Sequence, residues 1–264
     1  MPLDYIFNNS KALIPYFTLG DPDISMTELF VRTSFDAGAD IVEIGLPFSD
    51  PIADGPVVQA SHQRALEANA SISIEDGLRL VKRVKADYDK PLIFMGAYNL
   101  LLSYGFETFF KDAANVGLDG VIIPDLIVED SSDLLAYSKE YGVGLIFLMS
   151  PLCSPERIHR IVNASHTFIY LISSLGTTGM RQTIRSELAD LVANIKAVKP
   201  VPVVVGFGIS HTDHLKTVCS FSDGAVVGSY LIKQIEPLLT SSEQSCARIF
   251  DVISSFKQSM VVLS

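Results

Sequence analysis

One glutamate in this sequence lies inside an apolar run, where an ionisable side chain is unusual. Glu43 is surrounded by Ile41, Val42, Ile44 and Leu46. Burial of an unpaired carboxyl group disfavours its charged form, so we expect its pKa to rise and the group to carry a proton near neutral pH. Such a group can serve as a general acid or base. The competing interpretation is a strand residue satisfied by a lysine or by backbone amides.

A second carboxylate follows in the loop after that run. Asp54 comes eleven residues after Glu43, within residues 47–56, a segment with three prolines and two aspartates. The prolines restrict the backbone, so the loop can hold its carboxylates over the end of the preceding strand. A base and an acid would then approach one substrate, one from the strand end and the other from its own βα loop. The alternative is that Asp50 and Asp54 only cap turns or the helix that begins near Pro56.

Glycine-rich segments follow the last three apolar runs of the chain. They are residues 176–179 (GTTG), residues 206–210 (GFGIS) and the pair Gly228-Ser229. Glycine lets backbone N–H groups approach an anion, and a helix that begins there favours negative charge. These three positions predict a phosphate site. The sequence has no GxxxxGK[ST] loop, which argues against a Walker-type nucleotide site.

The elements that must position these residues alternate along the chain. Short apolar runs with little polar alternation are typical of strands that are buried on both faces, as in a parallel sheet covered by helices. Segments with apolar residues at helical spacing separate them, for example Met26 to Ala37, Glu75 to Asp87 and Ser186 to Val198. The strands are predicted at 12–17, 40–46, 91–96, 120–125, 143–149, 167–173, 201–208 and 224–229.

Eight strands that alternate with helices predict an α/β fold, a (β/α)8 TIM barrel, in which active sites lie at the carboxyl ends of the strands. A doubly wound open sheet is the alternative. No shift in composition marks a boundary, so we expect a single TIM-barrel domain over residues 1–264.

Composition excludes several classes of protein. The 264 residues are 48% hydrophobic, carry a net charge of −10 and contain no tryptophan. The acidic balance argues against a nucleic-acid-binding protein, and polar residues interrupt the apolar runs too often for a membrane-spanning helix. The start of the chain does not resemble a secretory signal, and three scattered cysteines form no disulfide framework, so we expect a cytoplasmic protein. His211 and His214 lack the neighbours of a metal site, and no metal is predicted.

The motifs at these positions resemble those of the tryptophan synthase alpha chain family. The longest is EIGLPFSDPIADGP at 43–56. Six shorter ones are in family order across nearly the whole chain: IPYFTLGDPD (14–23), DAGAD (36–40), IIPDL (122–126), GTTG (176–179), GFGIS (206–210) and GSYLIK (228–233).

The resemblance implies a carbon–carbon lyase that cleaves indole-3-glycerol phosphate into indole and glyceraldehyde 3-phosphate without a cofactor of its own. Glu43 matches the family's acid/base, and Asp54 matches the carboxylate that holds the indole N–H. The resemblance also implies a substrate site. Its phosphate-binding positions are Gly179, Gly208, Gly228 and Ser229, its apolar or aromatic positions near the indole are Phe17, Tyr170 and Phe207, and its mobile-loop threonine is Thr178.

The resemblance further implies a partner, a tryptophan synthase beta chain that carries pyridoxal phosphate (PLP) and receives indole within an alpha2beta2 heterotetramer. Residues 47–56 and 96–104 resemble the contact surface for that partner. The chain departs from common family residues at Ile127, at 96–99, at 150–153 and at 176–179. These departures leave two alternatives open: a catalytically weak chain that mainly activates its partner, or another phosphate-binding barrel lyase or isomerase.

Overall fold

The structure is a computed structural model, and it describes residues 3–8, 10–51, 54–172, 182–206 and 208–261. Its strands are parallel and close into a barrel in the order of the chain, from β1 to β8. They are β1 Ala12–Thr18, β2 Val42–Gly45, β3 Leu92–Met95, β4 Gly120–Ile122, β5 Gly144–Met149, β6 Ile169–Ile172, β7 Val203–Gly206 and β8 Gly224–Val227. The prediction of a (β/α)8 barrel is confirmed, and each strand lies within a predicted apolar run or extends one residue beyond it.

Closure is visible in the pairing of the first strand with the last. Ala12 lies opposite Gly224, and Pro15 lies opposite Val227. A doubly wound open sheet ends in two edge strands, whereas each of the eight strands here pairs with two neighbours, so that alternative is excluded.

Helices cover the outside of the barrel. They are α1 Ile24–Asp36, α2 Pro56–Ala68, α3 Ile74–Lys85, α4 Tyr98–Tyr104, α5 Phe106–Val116, α6 Ser132–Tyr141, α7 Pro155–Ala164, α8 Gln182–Val198, α9 Thr212–Cys219, α10 Ser229–Ile235 and α11 Ser242–Val261. Short 3-10 helices are found at Asp4–Phe7, Val128–Asp130 and Glu236–Leu238.

Local signals explain where several helices begin and end. Ser73 and Asp76 form a reciprocal capping box at the start of α3. Ser154 accepts a hydrogen bond from the Arg157 N–H at the start of α7, with proline as the first helical residue. Gly117 and Gly142 end α5 and α6 in the left-handed conformation that glycine adopts at no steric cost.

Two apolar layers explain why the strands show so little polar alternation. One layer lies between the strands and the helices and includes Val42, Ile44 and Phe94. The other fills the barrel interior and includes Ile14, Ile93, Ile122, Ile146, Phe168 and Val226. Successive side chains of a strand therefore enter different apolar layers, and both faces of each strand are buried.

Neither a membrane span nor a metal cluster occurs in the part of the chain that the structure describes. No helix there is both long and apolar enough to cross a bilayer. No group of three or more His, Cys, Asp or Glu side chains there could hold a metal ion. The rings of His211 and His214 pack against each other instead, with 5.4 Å between their centroids.

Candidate active site

A cavity of about 240 Å³ opens at the carboxyl ends of the first four strands. Its position agrees with the general rule for this fold. Its walls come from β1, from the ends of β2 and β3, from α2 and from the loops after β2, β3 and β4. The lining residues are Tyr16, Leu46, Phe48, Asp50, Pro51, Asp54, His62, Met95, Gly96, Ala97, Pro124 and Asp125.

Glu43 lies on β2, where its neighbours in the strand face the outer apolar layer. It pairs in register with Tyr16 on β1 and with Ile93 on β3, two residues of the barrel interior. The side chain is 1% exposed, and neither carboxylate oxygen has a hydrogen-bond partner among the described residues. The interpretation of Glu43 as a satisfied strand residue is therefore wrong.

Burial determines the proton affinity of this carboxyl group. The pKa of Glu43 is raised to about 8. Desolvation is the larger cause, and the negative charge of Asp54 contributes to the same rise. At neutral pH the group is a neutral acid that has a proton to give. The sequence-based expectation of a raised pKa is confirmed.

Asp54 lies in the loop between β2 and α2. Its backbone N–H donates to the carbonyl oxygen of Pro51 at 3.0 Å, and its own carbonyl accepts from Gln59 Nε2 at 2.9 Å. The N-cap of α2 is Gly55, so Asp54 does not cap that helix. Burial raises the pKa of Asp54 to about 6, so this carboxylate is ionised at neutral pH while Glu43 is not. The other aspartate of the loop, Asp50, is exposed at the cavity rim.

Two buried tyrosines stand inside the barrel near these carboxylates. Burial raises the pKa of both Tyr16 and Tyr170 well above the usual range, and the charges of Glu43 and Asp54 add to the rise. Glycines leave room for the two phenols. A Cβ atom at Gly45 would overlap the ring of Tyr16, and one at Gly206 would overlap that of Tyr170.

The aromatic position predicted on β1 has to be corrected by one residue. The side chain of Phe17 lies outside the barrel, where its ring packs on Phe30 of α1 with 5.6 Å between the centroids. Tyr16 takes the inward position and lines the cavity. Because β1 is apolar on both faces, its pattern could not distinguish the inner residues from the outer ones.

The predicted phosphate-binding glycines follow β7 and β8. Gly208 has a φ of +80°, a backbone conformation that favours glycine. Gly228 is the N-cap of α10, and Ser229 is the first residue of that helix. A Cβ atom at Gly228 would stand 3.4 Å from Cβ of Tyr16, so this turn lies against the strand that carries the cavity tyrosine. Thr178, Gly179 and Phe207 lie outside the described residues.

Sequence reasoning did not single out another residue that lines the cavity, His62. It is 4% exposed on α2, and its Nε2 lies 3.4 Å from Oδ2 of Asp54. The buried residues of this helix are Val58, Ser61, His62 and Ala65, a spacing that marks one helical face. A histidine on the inward stripe of the helix directly after the Asp54 loop is the signal that could have indicated it.

Comparisons with known proteins agree with the fold and the motifs. The sequence model of the family described as "Tryptophan synthase alpha chain" matches residues 5–261. A tryptophan synthase alpha chain of Thermoanaerobacter sp. (strain X514) is 40% identical over 248 residues, which cover 94% of this chain and 93% of that protein. One of Geobacter sulfurreducens is 41% identical over 229 residues, or 87% of this chain and 86% of that protein.

Solved structures agree as well. A tryptophan synthase subunit alpha of Legionella pneumophila str. Paris superposes with a TM-score of 0.89 at 32% identity, covering 99% of this chain and 98% of that one. A chain of tryptophan synthase from M. tuberculosis, in an aminoacrylate-bound form, gives 0.87 at 29% identity, covering 98% of this chain and 99% of that one. The chain belongs to the tryptophan synthase alpha chain family.

Proposed function

We propose that this single-domain barrel is the alpha subunit of a tryptophan synthase and cleaves indole-3-glycerol phosphate into indole and glyceraldehyde 3-phosphate. The observation that carries the proposal is the pair of carboxyl groups with separated pKa values, about 8 for Glu43 and about 6 for Asp54. A neutral acid and a fixed anion in one apolar site meet the needs of this retro-aldol reaction.

The reaction begins with a proton transfer to the ring. The Glu43 carboxyl group gives its proton to C3 of the indole, and positive charge develops on the ring nitrogen. The Asp54 carboxylate accepts a hydrogen bond from that N–H and stabilises the charge. Without this protonation the ring carbon would have to leave as a carbanion.

Bond cleavage then returns the proton to the enzyme. The Glu43 carboxylate takes the proton of the glycerol hydroxyl next to the ring, and the oxygen forms a carbonyl. The electron pair of the C–C bond moves into the ring and neutralises the nitrogen. Indole and the aldehyde are released, and Glu43 is again protonated.

The remaining substrate contacts are proposed from the motifs and the geometry together. Gly208, Gly228 and Ser229 would hold the phosphate, because their turns follow β7 and β8, where barrels of this class often bind this group. Tyr170 would contact the indole from inside the barrel. The resemblance adds Thr178, Gly179 and Phe207 to the same site.

The partner in the proposal is a PLP-dependent tryptophan synthase beta chain within an alpha2beta2 heterotetramer, which receives the indole in the cytoplasm. No cofactor is assigned to this chain. The surface offered to the partner is formed by residues 47–56 and 96–104. Leu102 on α4 and Ile127 after β4 expose apolar side chains at this end of the barrel.

The test of the lyase is indole release from indole-3-glycerol phosphate with the beta chain present. We expect Glu43→Gln and Asp54→Asn each to lower kcat by at least about 100-fold, since each removes a group that acts in the transition state. Glu67→Gln on α2 and Asp133→Asn on α6 change exposed carboxylates and serve as matched controls. Wild-type rates in both active-site variants would contradict the proposal.

The same preparation distinguishes the lyase from a chain that only activates its partner. The second assay measures the beta reaction on supplied indole and serine. A lyase releases indole in the first assay, whereas a pure activator accelerates only the second. The presence of both carboxyl groups, with opposite protonation states at neutral pH, favours the lyase.

A further inference from the structure

One buried imidazole contacts both ends of the loop that carries Asp54. The backbone N–H of Phe48, at the start of this loop, donates to His62 Nδ1 at 3.0 Å. Oδ2 of Asp54, at the end of the loop, lies 3.4 Å from Nε2 of the same ring. His62 itself is held on the buried face of α2.

The contact with Phe48 decides where the ring carries its proton. A backbone N–H can only donate, so Nδ1 must be the acceptor. Burial lowers the pKa of His62 to about 4, and the ring is therefore neutral at neutral pH. A neutral imidazole with an accepting Nδ1 carries its proton on Nε2, the nitrogen that faces Asp54.

A chain of hydrogen-bonded hydroxyl groups makes the Tyr16 phenol oxygen an acceptor for this Nε2 proton. Ser61 donates to the carbonyl of Val58 at 2.7 Å, so its oxygen accepts from Thr18 at 2.5 Å. Thr18 then accepts from Tyr16, whose phenol oxygen lies 3.4 Å away. With its own proton used in this way, the Tyr16 oxygen is an acceptor for His62 Nε2, at 3.1 Å.

We propose that His62 is the positioning residue of Asp54: its Nε2–H, shared between the Tyr16 phenol oxygen and Asp54 Oδ2, holds the carboxylate in the cavity. Its Nδ1 holds the start of the same loop through Phe48. The inference rests on the proposed role of Asp54 and adds a residue that neither the motifs nor the composition indicated. The alternative is a core histidine that only fills space and satisfies Tyr16.

Two substitutions test the hydrogen bonds of the two imidazole nitrogens one at a time. His62→Asn keeps an oxygen near the position of Nδ1, which can accept from Phe48, but it removes the donor toward Asp54. His62→Gln places an amide donor near the position of Nε2 but removes the acceptor for Phe48. His159→Asn changes an exposed histidine on α7 and is the matched control.

We expect His62→Asn to lower kcat about 10- to 100-fold, the effect of losing a hydrogen bond to a charged group, while KM changes little because the phosphate contacts remain. His62→Gln should recover at least about tenfold of that loss, because a donor toward Asp54 is present again. The control should match wild type. Equal losses in both His62 variants, in proportion to their losses in Tm, would assign only a packing role to His62. A wild-type kcat in His62→Asn would also overturn the proposal.

The acidic limb of the pH profile supplies a readout that packing does not move. Among the described residues, the titratable groups near Asp54 are Glu43 on β2, Tyr16 on β1, Tyr170 on β6 and His62 on α2, and Asp50 and Asp125 line the same cavity. Loss of the imidazole donor disfavours the ionised form of Asp54. The acidic limb should therefore move to higher pH in His62→Asn and move back toward the wild-type position in His62→Gln.

Nitrogen NMR of the wild-type chain tests the proposal without any assay. The spectrum should show a neutral His62 ring protonated on Nε2 from pH 5 to 8, and a ring protonated on Nδ1 would overturn the proposal. An inactive wild-type chain would remove the proposed function. The tautomer, together with a carbon NMR titration of Asp54 in the Asn variant, would still decide whether His62 positions this carboxylate. If the Asn variant does not fold, the wild-type His62 Nε2 resonance decides: it should shift as Asp54 ionises near pH 6, and a resonance that does not follow this titration would overturn the proposal.

Discussion

At the scale of single residues, the proposed lyase site contains two carboxyl groups that are buried to different extents. Glu43 is fully enclosed by the barrel interior and has no hydrogen-bond partner among the described residues, whereas Asp54 lies in a loop, partly exposed and beside an imidazole. Burial and the charge of Asp54 together raise the pKa of Glu43 to about 8, whereas burial raises the pKa of Asp54 to about 6. Between the two values one group is an acid and the other is an anion.

This separation predicts a bell-shaped dependence of kcat/KM on pH. Activity should rise as Asp54 ionises near pH 6 and fall as Glu43 loses its proton near pH 8. Steady-state rates of indole release from pH 5 to 9.5 would measure both limbs. A profile that stays flat across this range would contradict the assignment.

Removal of the Asp54 charge should move one of these limbs. Because that charge raises the pKa of Glu43, Asp54→Asn should shift the basic limb of its residual activity to lower pH. A carbon NMR titration of the Glu43 carboxyl group would measure the same shift directly. Asp133→Asn changes an exposed carboxylate that does not line the cavity, and it should leave the Glu43 titration unchanged.

The burial of Glu43 should make the free energy of unfolding depend on pH. Its folded pKa of about 8 lies above the unfolded value of 4.5, so the folded state binds the extra proton between these values. The free energy of unfolding therefore falls as the pH rises from 4.5 toward 8, because the unfolded chain releases this proton and the folded chain does not. Glu43→Gln removes this loss, and its free energy of unfolding should exceed that of wild type by on the order of 4 kcal/mol at pH 8.5. Urea unfolding at pH 5 and 8.5 measures the difference, and equal pH dependence in both proteins would contradict it.

At the scale of elements, glycines in the loops allow backbone conformations with a positive φ, and in βα loops this lets backbone N–H groups approach a ligand. Gly208 after β7 and Gly142 after α6 both have a positive φ, of 80° and 74°. Only Gly208 lies at the carboxyl end of the barrel. A positive φ therefore forms part of a proposed phosphate site at Gly208 and ends a helix at Gly142.

Replacing each of these glycines by alanine should distinguish the effect of backbone strain on stability from an effect on phosphate binding. Both Gly208→Ala and Gly142→Ala place a side chain in the left-handed region, which costs about 1–2 kcal/mol of stability. A Cβ atom at Gly142 has no neighbour within 4 Å, so strain is its main effect. Only Gly208→Ala should also raise KM for the phosphate substrate, by about tenfold or more. Thermal unfolding and steady-state kinetics check the pair, and equal KM values would argue against a phosphate site at Gly208.

At the scale of the whole molecule, a closed barrel joins a proposed lyase site to a proposed partner surface at one end. The cavity is lined by residues from both segments of that surface, Asp50, Pro51 and Asp54 from one and Gly96 and Ala97 from the other. A partner that contacts these loops would therefore also act on the walls of the cavity.

This arrangement predicts reciprocal coupling between substrate and partner. Indolepropanol phosphate, an unreactive analogue, should tighten binding of the beta chain by about 5- to 150-fold, and the beta chain should tighten binding of the analogue by the same factor. Calorimetric titration of each ligand with and without the other measures both factors. Glycerol 3-phosphate, which lacks the indole, is the control. If neither affinity changes, the cavity and the partner surface are not coupled.

The sequence alone was enough to predict the architecture, which the structure confirms, and to name the two carboxyl groups of the proposed site. Apolar runs without polar alternation indicate strands that are buried on both faces, and eight of them separated by helical patterns leave few folds other than a barrel. Glu43 was identifiable because a carboxyl group inside such a run must be buried. Gly117 and Gly142 marked helix ends because the left-handed conformation is nearly exclusive to glycine.

Only the tertiary structure decided which side chains of those elements meet. It put Tyr16 rather than Phe17 inside the barrel, since strand alternation divides two apolar faces but does not say which one is the interior. It brought His62 of α2 to both ends of the preceding loop, a contact that depends on how the helix packs on β1. The pKa values of Glu43 and Asp54 likewise follow from distances and burial in three dimensions, which spacing along the chain does not contain.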